Sequence, residues 1–210
     1  MEIKWNNEIL WLSPLRAIFW PQKKVLFIAD MHLGKTGYFR NNGIQIPSTV
    51  LEDDLKRLSL LIQTHQPETV IVAGDMFHHS MNADTNIFKQ WRKSLNGIDL
   101  LLVPGNHDKL LDIDYQSLGI VVVNKTFELA PFIISHQPAE KQQGLLICGH
   151  VHPGFTMAGK AKQSLRLPCF VVSPTQIILP AFSAFTGLFT RHNFADSNCY
   201  LIANDLVLKV

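Results

Sequence analysis

Residues 25–32 read Val-Leu-Phe-Ile-Ala-Asp-Met-His, a short apolar run that stops abruptly at a carboxylate and an imidazole. The same pattern returns four times. Residues 69–73 stop at Gly74-Asp75, residues 100–103 at Pro104-Gly105-Asn106, residues 132–134 at Ser135-His136, and residues 145–148 at Gly149-His150. Runs this short and this rich in Val, Ile and Leu fit strands buried on both faces. Between the first three lie helical patterns. Thr49 and Glu52 have capping-box spacing ahead of Leu51, Leu55, Leu58 and Ile62, and Asp84 is placed to cap a second helix with Ile87, Phe88, Trp91 and Leu95 on its stripe. Strand, helix, strand, helix, strand implies parallel crossovers.

Outward from this centre the pattern changes. The opening residues predict a hairpin, residues 3–5 and 9–12 around Asn6-Asn7. After His152 come strands without helices, at residues 165–172, 176–179, 199–203 and 206–210, the last two joined by Asn204-Asp205. The expected fold is α/β, with two mixed β-sheets packed together and flanked by helices. In open α/β sheets sites collect at the carboxyl ends of strands, where all five polar stops lie.

Bulk properties set the limits. The chain has 210 residues, 47% of them hydrophobic, and no linker or low-complexity stretch, so residues 1–210 read as one domain. A net charge of +2 neither requires nor excludes nucleic acid. No run of apolar residues is long enough to span a bilayer, and the N-terminal residues do not read as a secretory signal. Cys148, Cys169 and Cys199 match no zinc spacing and read as reduced thiols, which points to the cytoplasm.

Five of the nine histidines fall within the polar stops: Asp30-Met-His32, Gly74-Asp75, Gly105-Asn106-His107-Asp108, His136 and Gly149-His150-Val-His152. Carboxylate, imidazole and amide oxygen together suit divalent ions of intermediate hardness. Alternate residues of D-x-H and H-x-H can face one ion, and the neighbouring glycines allow close backbone approach. Satisfied core histidines and loop aspartates are the competing reading. That reading leaves clustered, desolvated carboxylates and imidazoles without a reason.

In this order the motifs resemble the calcineurin-like metallophosphoesterase superfamily, over Asp30 to His152. The resemblance implies a four-layer sandwich and two metals. Asp30, His32, Asp75 and His152 would hold one, and Asp75, Asn106, His136 and His150 the other, with Asp75 bridging. Manganese is the foremost expectation, with Fe, Zn, Co, Ni and Mg as other candidates. A hydroxide shared by two cations would attack phosphorus. His107 is then free to protonate the leaving oxygen, with Asp108 orienting it or raising its pKa.

The G-D-x-x-D-R-G turn of protein phosphatases is absent, which argues against that activity. A closer resemblance runs through Ala29-Asp30-Met-His32-Leu-Gly-Lys35, Phe39-Arg40, Gly74-Asp75-Met-Phe-His78, Arg166-Leu-Pro-Cys-Phe170, Leu179-Pro-Ala-Phe182 and Ala184-Phe-Thr-Gly187. These are similar to the bacterial ligase-associated DNA damage response endonucleases, with Met31 where many relatives carry Leu. That similarity implies a DNA phosphodiester substrate and functional association with an ATP-dependent DNA ligase and a helicase. Lys35, Arg40 and His78 are candidate substrate contacts, while His79 reads as solvent-facing. Lys160, Lys162 and Arg166 read as a solvated hairpin, and His65, Arg191 and His192 have no motif context. Hydrolysis of a small phosphoester, such as a cyclic nucleotide, is the alternative, and a non-catalytic scaffold the remote one.

Overall fold

The computed structural model describes residues 1–37, 43, 49–78, 83–139, 144–159, 163–191 and 196–210. Its first sheet has seven strands in the order β1-β2-β3-β4-β5-β6-β7. These are β1 (Glu2–Trp5), β2 (Glu8–Ser13), β3 (Ala17–Trp20), β4 (Val25–Ile28), β5 (Thr69–Ala73), β6 (Asp99–Val103) and β7 (Val121–Val122). The hairpin between β1 and β2 turns at Asn6 and Asn7 with φ of 48° and 72°, the left-handed pair a tight two-residue turn needs. From β4 to β7 the strands run parallel, as the alternation of strands and helices predicts.

The second sheet has eight strands, β15-β14-β12-β13-β10-β9-β8 with β11 against β12. They are β8 (Thr126–Leu129), β9 (Phe132–Ser135), β10 (Leu145–Cys148), β11 (Gly154–Ala158), β12 (Ser164–Val172), β13 (Gln176–Ile178), β14 (Asn198–Ala203) and β15 (Leu206–Lys209). Strands β9, β10 and β13 are parallel and the remaining pairs antiparallel. Both sheets are therefore mixed.

Helices α1 (Thr49–His65), α2 (Ala83–Lys93) and α3 (Asp112–Ser117) all pack on the outer face of the first sheet. Leu51, Leu55, Leu58, Leu61 and Ile62 of α1 meet Leu26, Ile28, Val70 and Val72 there. Two details depart from the sequence pattern. Ile87 is exposed, so the buried stripe of α2 rests on Phe88, backed by Trp91. Asp84 lies within α2 and is buried; its Oδ2 accepts from Thr36 Oγ1 at 2.8 Å and the Gly37 N–H at 3.0 Å, tying the helix to the segment after His32.

The inner faces of the two sheets share a core of Ile18, Trp20, Phe27, Ile71, Phe132, Ile134, Ile147, Phe170 and Ile177. Phe132 sits at its centre. Its ring stacks on Trp5 at 5.5 Å and meets Trp20 edge-on at 4.7 Å and Phe27 at 6.3 Å, so three rings of the first sheet clamp one from the second. Cys148 and Cys169 are buried free thiols on the far face of the second sheet, and Cys199 is a half-buried one. No described helix is long and apolar enough to cross a membrane. Truncating Phe132→Ala should cost about 3–5 kcal/mol of unfolding free energy. Chemical denaturation of the metal-free protein checks this, and a loss below about 1 kcal/mol would show that the two sheets are not clamped there.

Candidate metal centre

Each strand that bears a polar stop ends at the same edge of the molecule. Asp30 and His32 follow β4, Asp75 follows β5, Asn106 follows β6, His136 follows β9, and His150 and His152 follow β10. Five of these seven residues have left-handed backbones: Asp30 (φ 56°), His32 (47°), Asp75 (49°), His150 (70°) and His152 (50°). Such conformations cost of order 1–3 kcal/mol each for non-glycine residues, so the surroundings must enforce them. Backbone bonds do so. The Asp30, His32 and Leu33 N–H groups donate to the carbonyls of Gly74, Asp75 and Met76, zipping the first two ligand loops together.

Carboxylates complete the scaffold. Asp30 Oδ2 accepts the His150 N–H at 2.9 Å, across the seam between the sheets. Asp75 Oδ1 accepts the His107 N–H at 2.9 Å. The two oxygens of Asp108 accept the Phe77 and Gly105 N–H groups, each at 2.9 Å, so it ties the loop after β5 to the loop after β6. Burial raises its pKa against the pull of those two bonds.

The side chains gather into two groups, each with ligand atoms within 4.8 Å of one another: Asp30, His32 and His152, and Asp75, His136 and His150. In the first, His32 Nε2 and His152 Nε2 face each other at 3.4 Å, and His152 Nε2 lies 3.3 Å from Asp30 Oδ1. In the second, His136 Nε2 lies 3.0 Å from His150 Nδ1 and 3.4 Å from Asp75 Oδ2. Lone-pair-bearing nitrogens and carboxylate oxygens directed at one point repel unless a proton or a cation lies between them. Asp30 Oδ1 is buried with no hydrogen-bond partner, a desolvated anion that a divalent cation would satisfy. His136 Nδ1 stands 3.1 Å from the Ala73 carbonyl, which fixes the proton on Nδ1 in the neutral ring and leaves Nε2 as the ligand. The donor set fits divalent metal.

Electrostatics agree. Burial pushes the His32 imidazole down to about 3, against the pull of Asp75 and with help from His152 and Lys35, so it is a neutral donor at pH 7. Burial and His136 likewise lower His150. Burial alone would raise Asp75, but the His136 ring and the His107 N–H outweigh it and hold that carboxylate well below its usual range. His136 is raised because its bond to Asp75 and the nearby Asp30 outweigh burial. Asp75 thus acts on a histidine of each group.

The remaining expected residues lie around this core. Asn106 is exposed at the rim beside His136, its Oδ1 accepting from Gln137 Nε2 at 3.4 Å. His107 belongs to neither group. Its ring lies 5.5 Å from that of His32 and stacks at 5.1 Å on that of His78. Lys35 is half-buried with its ammonium 5.8 Å above the Phe185 ring, and burial lowers its pKa. Arg40, His79, Lys160, Lys162 and His192 lie outside the described residues. One support has no sequence signal of its own. The Phe182 and Ser183 N–H groups donate to the Ala29 and Asp30 carbonyls, while Arg57, paired with Asp54 at 2.6 Å, bonds the Phe182 carbonyl.

Residues 23–152 match the calcineurin-like phosphoesterase family. The chain belongs to that family. It is a metal-dependent phosphoester hydrolase. The structure is similar to that of the nuclease MPE of Pseudomonas putida, with 32% identity, 99% of each chain covered and a TM-score of 0.84. It also matches the phosphoesterase Yfce of E. coli, with 12% identity, 89% of this chain and 97% of that one covered, and a TM-score of 0.44. No curated protein matches the chain.

Gly149 tests the phosphoesterase scaffold directly. A Cβ there would lie 2.5 Å from both Ala29 Cβ and Asp30 Oδ2. Gly149→Ala should leave a folded protein whose affinity for Mn²⁺ falls about 10–100-fold, read by calorimetric titration. Unchanged affinity would mean that the sheet seam does not set the ligand geometry.

Proposed function

We propose that this phosphoesterase is a two-metal phosphodiesterase that cleaves DNA. The observation that carries the reading is the pair of converging ligand groups, with the His107 ring beside them but in neither. In this assignment Asp30, His32, Asp75 and His152 hold one cation, and Asp75, Asn106, His136 and His150 the other. We expect manganese. Two bound divalent cations supply Lewis-acid charge to the phosphoryl oxygens and activate water at neutral pH.

The chain's own groups do the rest. Asp75, kept ionised, serves both sets. The stack on His78 fixes the His107 ring, which protonates the departing oxygen. Asp108 is a positioning residue: by binding the Gly105 and Phe77 N–H groups it fixes the backbone that presents His107. Lys35, three residues after His32, is assigned to a substrate phosphate. DNA as substrate is supported by the likeness to a nuclease across 99% of the chain. The repair setting, with a ligase and a helicase as functional partners, rests on the sequence resemblance alone.

The test is a substrate panel with Mn²⁺-loaded protein: bis-p-nitrophenyl phosphate, p-nitrophenyl phosphate, cyclic nucleotides and linear DNA. Turnover of the diester and of DNA is expected. Small diesters cleaved without DNA would move the assignment to a small phosphoester, and no turnover with any divalent metal would remove both. Asp75→Ala should lose metal and activity together. His107→Ala should keep its metal and lose about 10²–10⁴-fold in kcat; an unchanged rate would remove His107 from proton transfer.

A further inference from the structure

Beside the second ligand group an open groove of about 640 Å³ runs outward between the loop after β6 and the edge of the second sheet. Its inner end is His136 and Asn106. The cross-strand pair Thr126 of β8 and Ser135 of β9, the residue immediately before His136, lines it as well. Lys109 stands just beyond the ligand loop and Lys125 just before β8, so two segments 16 residues apart each bring one cation to the same groove. Both lysines are exposed, and neither is ion-paired with a described residue.

The balance of charge is one-sided. Among the described lining residues Asp108 is the one carboxylate, and its two oxygens accept backbone N–H groups. Glu128, on the same face of β8, lies outside the lining. The described lining residues include no Phe, Tyr or Trp on which a base could stack. A groove with unpaired cations, hydroxyls and amides but no stacking platform recognises a phosphate backbone and not bases. Its volume is several times what a single phosphate needs.

We propose that this groove is the track for the DNA strand flanking the scissile phosphate, with Lys109 and Lys125 each neutralising one backbone phosphate. The inference rests on the phosphodiesterase reading and adds to it where a polymer substrate lies and why its sequence is not read there. It makes Lys109 and Lys125 substrate-binding residues that a small diester, confined to the metal centre, does not need.

The experiment compares Mn²⁺-loaded wild type with K109A/K125A, using K23A/K24A as a control that removes two exposed lysines from the turn at the opposite end of β4 from Asp30. Turnover is measured on bis-p-nitrophenyl phosphate and on oligodeoxynucleotides, and binding by anisotropy of a fluorescent oligodeoxynucleotide across a salt series. The groove variant should keep its rate on the small diester and raise KM for DNA with kcat unchanged. Its slope of log K against log salt should shrink by about 1.4–1.8, at roughly 0.7–0.9 per lost phosphate contact. The control should keep the wild-type slope, K109R/K125R should restore it, and thymidine and adenine homopolymers should respond alike.

An unchanged salt slope in K109A/K125A would overturn the groove and leave the phosphodiesterase reading standing. So would an equal loss on the small diester and on DNA, because the lysines would then act through the fold. Wild type inert towards every diester would instead fail the reading on which the groove rests, and the binding series would still decide whether the two lysines hold DNA.

Discussion

The His150 N–H donates to Asp30 Oδ2 across the seam between the two sheets, and the rest of the site depends on that contact. Asp30 belongs to the first sheet and His150 to the second, so no local rule of chain geometry brings them together. The shared apolar core does, by fixing how closely β4 and β10 approach. At that spacing one oxygen of Asp30 is used in holding the sheets together and the other is left buried, unpartnered and facing His152. The same carboxylate is both a joint of the scaffold and half of a metal site. Asp75 repeats the arrangement, with Oδ1 on the His107 N–H and Oδ2 facing His136.

This double use explains why so many ligands have left-handed backbones. A strand that simply continued would carry its side chains away from the opposing sheet. Turning sharply at Asp30, Asp75 and His150 aims them into the seam instead, and the bonds to the Gly74, Asp75 and Met76 carbonyls hold the turn. The resulting cluster sets ring nitrogens 3.0 and 3.4 Å apart beside two carboxylates, contacts that need a proton or a cation between them. Folding energy from the aromatic clamp around Phe132 and from the helices on the outer face stabilises the chain that holds it. The metal centre is built by the packing.

The two candidate ligand groups were legible because their residues lie where hydrophobic runs end. Residue type, order and position agree, and each run is long enough to announce a strand. Strand β3 was not read: Ala17–Trp20 is as short as the other runs but ends at Pro21, without the polar stop that marked them. Helix α3 has six residues, a Leu at its N-cap and no side-chain cap bond, so no start signal exists. Ile87 satisfies the helical period yet faces solvent, because the packed side of the helix runs through Phe88 and Trp91. The backbone bonds of Asp108 were not legible either, since one partner, Phe77, is 31 residues away and only the folded chain shows it. The groove cations Lys109 and Lys125 likewise follow no shared motif, and only the folded chain brings both to one groove.

The central claim is that two cations share this seam. A crystal structure of the Mn²⁺-loaded protein, with anomalous scattering recorded at the manganese edge, tests it most directly. Two peaks about 3.5–4 Å apart are predicted, one against Asp30, His32 and His152, the other against Asn106, His136 and His150, with Asp75 between them. A single peak, or two that do not share Asp75, would contradict the account.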